Sequence, residues 1–140
     1  MQTLSIRLIT GTQELHDLRP AWEALHSRSV DCELSLHPVW LLSWWEVFGA
    51  DEQRALRVLA FLDQDRLVGL APLLVRPHVY APGLEFRRLE NLGSGEQVAD
   101  ETCGDYLGLL AERGREADVA AAFAEALVSG RAGAWDELLL

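Results

Sequence analysis

The side chains that could do chemistry in this sequence are few and loosely grouped. Asp105 and Tyr106 stand together where a glycine-dotted polar stretch, GSGEQVADETCGD (93–105), gives way to the apolar run Leu107 to Leu110. An acid beside a phenol at a strand mouth can hold an amine or hydroxyl substrate; the same pair also fits a loop-capping aspartate next to a half-buried ring. Trp44 is the third candidate. It lies among Trp40, Trp45 and Phe48, and an indole brings a large apolar face plus an N–H that wants a partner, which suits a core or the wall of a ligand cleft. No catalytic residue is identifiable by motif.

Two stretches invite an anion and then argue against it. Gly93-Ser94-Gly95 lacks the third glycine of a dinucleotide turn, and between Leu89 and Glu112 lie Glu90, Glu96, Asp100, Glu101, Asp105 and Glu112 without one arginine. An anionic cofactor would meet uncompensated like charge there, so an amine is the better ligand for that loop. Arg113-Gly114 opens the alanine-rich run that follows, where a helix N-terminus could grip a pyrophosphate. Glu116 and Asp118 occupy that first turn instead and complement the helix dipole themselves. No cofactor-binding residue is therefore expected within the segment.

Twelve arginines, no lysine and twenty-two acids give a net charge of -10. Lysine Schiff-base and phosphate-loop chemistry are excluded, and nucleic acid or an anionic membrane would need a basic face. Cys32 and Cys103 are far apart and match no zinc spacing, and His16, His26, His37 and His78 are scattered, so no metal site is expected and the histidines read as surface or capping residues. The N-terminus lacks a secretory pattern and no apolar run is long enough to span a bilayer, which gives a cytoplasmic expectation without membrane insertion.

These candidates hang on a framework centred on Ala55 to Val75, ALRVLAFLDQDRLVGLAPLLV. Leu56, Val58, Ala60 and Leu62 fill one face of its first arm, and Leu59 and Phe61 make the other apolar too. Strands apolar on both faces need cover on both, so the hairpin belongs mid-sheet with helices above and below. Pro72 cannot donate to a ladder and marks a break. Upstream, TLSIRLI (3–9) reads as a strand; Leu15, Leu18, Trp22 and Leu25 mark a helix capped by Thr10 or Thr12, with a kink or restart at Pro20. A second helix is capped by Ser35 or His37, starts near Pro38 and stops at Gly49, with Trp40, Trp44 and Val47 on one stripe. Downstream come a loop from Arg76 to Gly83, a mixed edge-like strand from Leu84 to Leu92, a short strand from Tyr106 to Leu110, a helix from Arg115 to Ser129, and a buried strand starting at Trp135.

The phrases LRPAWEAL, LHPVWLLSWWEVFG, RLVGLAPLLV, LEFRRLENLG and GDYLGLL resemble the N-terminal half of CelD/BcsL-type acyltransferases, GNAT-like and FemAB-related proteins associated with cellulose and exopolysaccharide biosynthesis in bacteria. The resemblance runs from about Leu18 to Leu140. It implies an α+β, GNAT-like acyl-CoA N-acyltransferase fold in the order β-α-α-β-β-β-β-α-β, with a mostly antiparallel central sheet and helices on both faces. It implies one domain over 1–140, the N-terminal part of a longer two-half chain whose partner is its own C-terminal half. Acyl-CoA would be gripped mainly by that second half and the acceptor would be a small molecule or saccharide. A non-catalytic scaffold or partner-binding module is the alternative. An apolar sheet edge left by the missing half would favour self-association.

Overall fold

The computed structural model describes residues 3–30, 32–97, 101–102 and 107–140. Strand β1 (Ser5–Ile9) leads into α1 (Thr12–Asp17) and α2 (Arg19–Arg28), and α3 (Pro38–Phe48) follows a 3-10 turn at Leu34–Leu36. Five strands come next: β2 (Ala55–Leu56), β3 (Val58–Asp63), β4 (Arg66–Ala71), β5 (Leu73–Ala81) and β6 (Leu84–Asn91). Then β7 (Leu110–Ala111), α4 (Glu116–Val128) and β8 (Glu137–Leu139) complete a mixed α+β fold, which follows the implied order when α1 and α2 count as one restarted helix and β2–β3 and β4–β5 as one hairpin arm each.

The expected single central sheet is two four-stranded sheets, ordered β1-β3-β4-β7 and β2-β5-β6-β8. Every pairing is antiparallel except β6 with β8, where Leu89 faces Leu138 in parallel register. Both arms of the central hairpin cross from one sheet to the other. The first breaks at Arg57, whose N–H reaches the Leu73 carbonyl, and the second at Pro72, whose own carbonyl takes the Leu92 N–H. The residue that cannot donate stands where the ladder changes partners, as the sequence requires.

Both faces of the hairpin are covered. Leu56, Val58, Ala60, Leu67, Leu70 and Leu74 pack with Leu15, Trp22, Leu25, Leu41 and Trp44 from α1, α2 and α3. Leu59, Phe61, Val68, Ala71 and Leu73 pack with Val119, Phe123 and Ala126 of α4. Strict alternation fails once, since Leu67 and Leu70 share a face. The β3–β4 register shifts between Phe61 and Leu62, so Val68 is the extra residue of a bulge.

Gly69 follows that bulge on the α4 side, and its missing side chain is what lets the helix come close. A Cβ there would lie 2.5 and 2.7 Å from the two methyls of Val119. Gly69→Ala is expected to destabilise by about 1–3 kcal/mol through overpacking, and adding Val119→Ala should recover most of it. Denaturant midpoints of the two variants check this; equal losses would exclude the close approach.

Pro20 sits in the first turn of α2, so the helix restarts there. His37 caps α3 and Pro38 opens it. Other expectations need correction. Neither Thr10 nor Thr12 caps α1: Gly11 holds the cap position and the Thr12 hydroxyl instead accepts from the Trp45 indole. Val47 faces solvent with Val39, while Pro38, Leu41, Leu42 and Trp44 form the buried stripe. The supposed loop from Arg76 continues as β5 to Ala81 and turns at Pro82-Gly83. Pro77 is tolerated because beyond Val75 that side of β5 has lost its β2 neighbour, so the missing N–H faces an open edge. Strand β6 is interior, between β5 and β8, rather than an edge. The final strand is half-exposed: Leu138 packs inward, whereas Leu139 is 52% exposed.

Candidate functional site

The pairings of β5, β6 and β8 set one row of side chains on a common face: Arg76, His78 and Tyr80 from β5, Phe86, Arg88 and Glu90 from β6, and Glu137 from β8. Alternation puts the apolar partners Val75 and Leu89 on the other face, against the core. A mixed-composition strand is thus explained by lying in mid-sheet with one polar face.

At the outer end the rings of His78 and Tyr80 meet edge-on at 4.5 Å, and Tyr80 meets Phe86 at 5.7 Å. The Tyr80 hydroxyl donates to Glu137 at 2.5 Å and accepts from Arg88 at 2.9 Å, and Arg88 also pairs with Glu137 at 2.9 Å. The Tyr80 bond, then Arg88, hold the Glu137 carboxyl below its ordinary range against the opposing effect of burial. Beside it, Arg87 side-chain and backbone N–H bonds lower Asp136 to about 2.

At the inner end Arg76 and Glu90 form a buried pair at 2.5 Å. Gly95 lies directly upon it, with positive φ, where any Cβ would strike the Glu90 carboxylate. Arg54 is buried beside this turn. Its guanidinium stacks over Trp44 at 5.4 Å and donates to the carbonyls of Phe48, Asp51 and Gly95, joining α3, the 3-10 turn Asp51–Gln53 and the glycine turn. Glu96 accepts from the backbone N–H and hydroxyl of Thr102, both at 2.7 Å. Burial pushes the Glu96 carboxyl up, but the Thr102 bonds outweigh it and the net shift is downward. The Trp44 indole also acts on this carboxylate, without completing a hydrogen bond of normal geometry.

Trp44 therefore lies beneath Arg54 and against Phe48 at 5.2 Å, only 3% exposed; it is a core wall and not the lining of an open cleft. Asp105 and Tyr106 lie outside the described residues. Two acids of the run are compensated from distant elements that local sequence does not reveal, Glu90 by Arg76 of β5 and Glu112 by Arg66 of β4 at 2.7 Å and Arg28 of α2 at 3.7 Å. Sequence reasoning missed the row on β5 and β6 because it read a proline-bearing strand as a loop. The alternation of Arg76, His78 and Tyr80 was the available signal.

Neither anion-inviting stretch fits an acyl-CoA pyrophosphate. The glycine turn offers a carbonyl to Arg54 and carries Glu96, the opposite polarity to a phosphate cradle. At α4, Glu116 and Asp118 fill the first turn; backbone N–H groups of Glu116 and Gly114 hold the Glu116 carboxyl below its ordinary range, and Arg115 is taken by Asp63 at 2.8 Å and Asp118 at 3.0 Å. Among the described residues no cluster of histidine, cysteine and acids could hold a metal, and no helix is long and apolar enough to cross a membrane. A surface depression at the β3–β4 turn is lined by Asp63, Gln64, Asp65 and Arg66, apart from the polar row.

What the row can do chemically is position. The edges of His78, Tyr80 and Phe86, with Tyr80 53% exposed, offer a stacking surface beside an oriented hydroxyl and a charged pair.

No protein-family model matches the chain, and no curated protein matches it. Among solved structures it is similar to a ribosomal-protein-alanine N-acetyltransferase from Brucella melitensis biovar Abortus 2308, at 12% identity and a TM-score of 0.48, covering 99% of this chain and 79% of that one. It is also similar to a transcriptional regulator from Bacillus halodurans C-125, at 13% identity and a TM-score of 0.46, covering 96% of this chain and 79% of that one. Likeness at this level is loose and assigns no activity.

Proposed function

We propose that this chain is the N-terminal, acyltransferase-like half of a CelD/BcsL-type protein that moves an acyl group from acyl-CoA to an amine or hydroxyl in bacterial polysaccharide assembly. The observation that carries this reading is the element order: a strand, the restarted helix α1–α2, helix α3, a covered hairpin, further antiparallel strands, then α4 crossing over to lay β8 parallel to β6. That order is what the sequence phrases imply. The polar row on β5, β6 and β8 would supply one wall of the acceptor site, with Tyr80 and Phe86 stacking on a saccharide or other ring-bearing acceptor. The C-terminal half would hold acyl-CoA, because the glycine turn presents a carbonyl already taken by Arg54 and the α4 N-terminus is filled by its own acids.

A scaffold without catalysis is the second reading. It is favoured by the saturation of the row: Arg76 bonds Glu90, and Arg88, Glu137 and Tyr80 bond one another.

Calorimetric titration of the 140-residue chain with acetyl-CoA is expected to give no heat of binding up to millimolar ligand. Micromolar affinity would overturn the division of labour. A two-half chain containing this segment is expected to bind acetyl-CoA and release CoA thiol with an amine or saccharide acceptor; failure in both would leave the scaffold reading.

A further inference from the structure

The sequence of α3 begins His37-Pro38-Val39, and its start is built on two imidazoles. His37 Nδ1 accepts the Val39 N–H at 3.1 Å, satisfying a donor that the first helical turn leaves unmade. Only an unprotonated Nδ1 can accept. The His37 ring meets the ring of His26, from α2, edge-on at 4.9 Å. His26 in turn donates from Nε2 to the Glu33 carbonyl at 2.8 Å, so the segment 32–37 is tied to α2 by the same residue that touches the cap.

We propose that His26 and His37 form a proton-sensitive latch that holds the first turn of α3 against α2 at full strength only while both rings are neutral, the turn before it staying pinned by Trp22. A proton on His37 Nδ1 removes the cap acceptor and turns its partnership with Val39 into a donor–donor clash. A proton on His26 Nδ1 leaves the Glu33 bond in place but sets a cation against the His37 ring, and two protons set two cations in contact.

The groups facing the pair are Arg19 and Glu23 of α2 and the Glu33 carbonyl; His16 of α1 faces Glu46 further along α3 at 3.6 Å. Burial first, then His26, depress the His37 imidazole below its ordinary value, with Glu23 opposing and Arg19 adding to the depression. A histidine depressed by folding contributes stability that is complete above the ordinary value of 6.5 and is lost as pH falls through the lower folded value. The His16–Glu46 contact works the other way, gaining attraction when His16 is charged.

The test follows His37 by imidazole NMR and Val39 by amide hydrogen exchange between pH 8 and 5, corrected for intrinsic exchange. His37 is expected to titrate below its ordinary value, and Val39 protection to fall about fivefold with it, the size of one capping bond. In His37→Asn the side chain still accepts but does not titrate, so Val39 protection should stay flat across the range. His16→Asn should leave the Val39 profile unchanged. The latch is overturned if His37 titrates at or above its ordinary value, or if His37→Asn loses Val39 protection with the wild-type pH profile.

Discussion

Arg76→Leu is expected to lower stability by about 3–5 kcal/mol, read as a fall in denaturant midpoint at unchanged slope. The Arg76 and Glu90 side chains are 13% and 3% exposed, so both charges are almost wholly out of water. Their attraction offsets a desolvation penalty that each ion would suffer alone. Removing the arginine leaves the Glu90 carboxylate buried beneath Gly95, without the guanidinium that made it tolerable. Arg76 also has more than this one partner, so its loss is felt more widely than that of Glu90. The double change Arg76→Leu with Glu90→Leu should recover most of the loss, because burying two apolar groups costs no charge desolvation. A single variant within about 1 kcal/mol of wild type would show that the pair is effectively solvated.

Trp22→Ala is the second large effect, about 3–5 kcal/mol for the cavity and lost apolar burial. Trp22 is fully buried, and its indole N–H reaches the Leu36 carbonyl at 3.0 Å, pinning the turn that precedes α3. Trp22→Phe separates the two contributions: it fills most of the space but leaves that carbonyl unpaired, an expected cost of about 1–3 kcal/mol. Trp44→Phe provides the comparison. Its indole completes no normal hydrogen bond, so the change should cost less than Trp22→Phe. If the two phenylalanine variants are equally destabilised, the Leu36 bond contributes nothing measurable.

Much of the framework was legible because it rests on local rules. The doubly apolar hairpin, Pro72 as a break, Pro20 as a restart, the His37 cap and the alanine-rich helix each follow from residue types within one or two turns of themselves. The bulge at Val68 was not, since it depends on the register that β3 and β4 choose together. The exposure of Val47 follows from which side of α3 meets the sheet, which the sequence of α3 leaves open because apolar residues occur all around it.

The candidate site was less legible than the fold. Charge along the sequence suggested an uncompensated acidic loop, whereas Glu90 and Glu112 find arginines 14 and 46 positions away. Trp44 was singled out as a possible cleft wall, whereas it is buried beneath Arg54, a residue with no local signature. A lone arginine between a turn and a strand looks like any solvated charge until three carbonyls from separate elements converge on it.

The passage of both hairpin arms between the sheets, at Arg57 and Pro72, bears on how the molecule comes apart. Because β2–β3 and β4–β5 are continuous stretches of chain shared by two sheets, neither sheet can lose its central strands without pulling on the other. The sheets should melt as one cooperative unit, with amides of β3, β4 and the inner part of β5 exchanging together and last. Strand β8 is held differently. It joins at a sheet edge through a pairing whose Arg87–Asp136 clasp spans 49 residues, and it is three residues long, so it should dock late and fray early. Tyr80 and Arg88 both lean on Glu137 of that strand, so the chemical face of the second sheet is assembled late in folding and dismantled early.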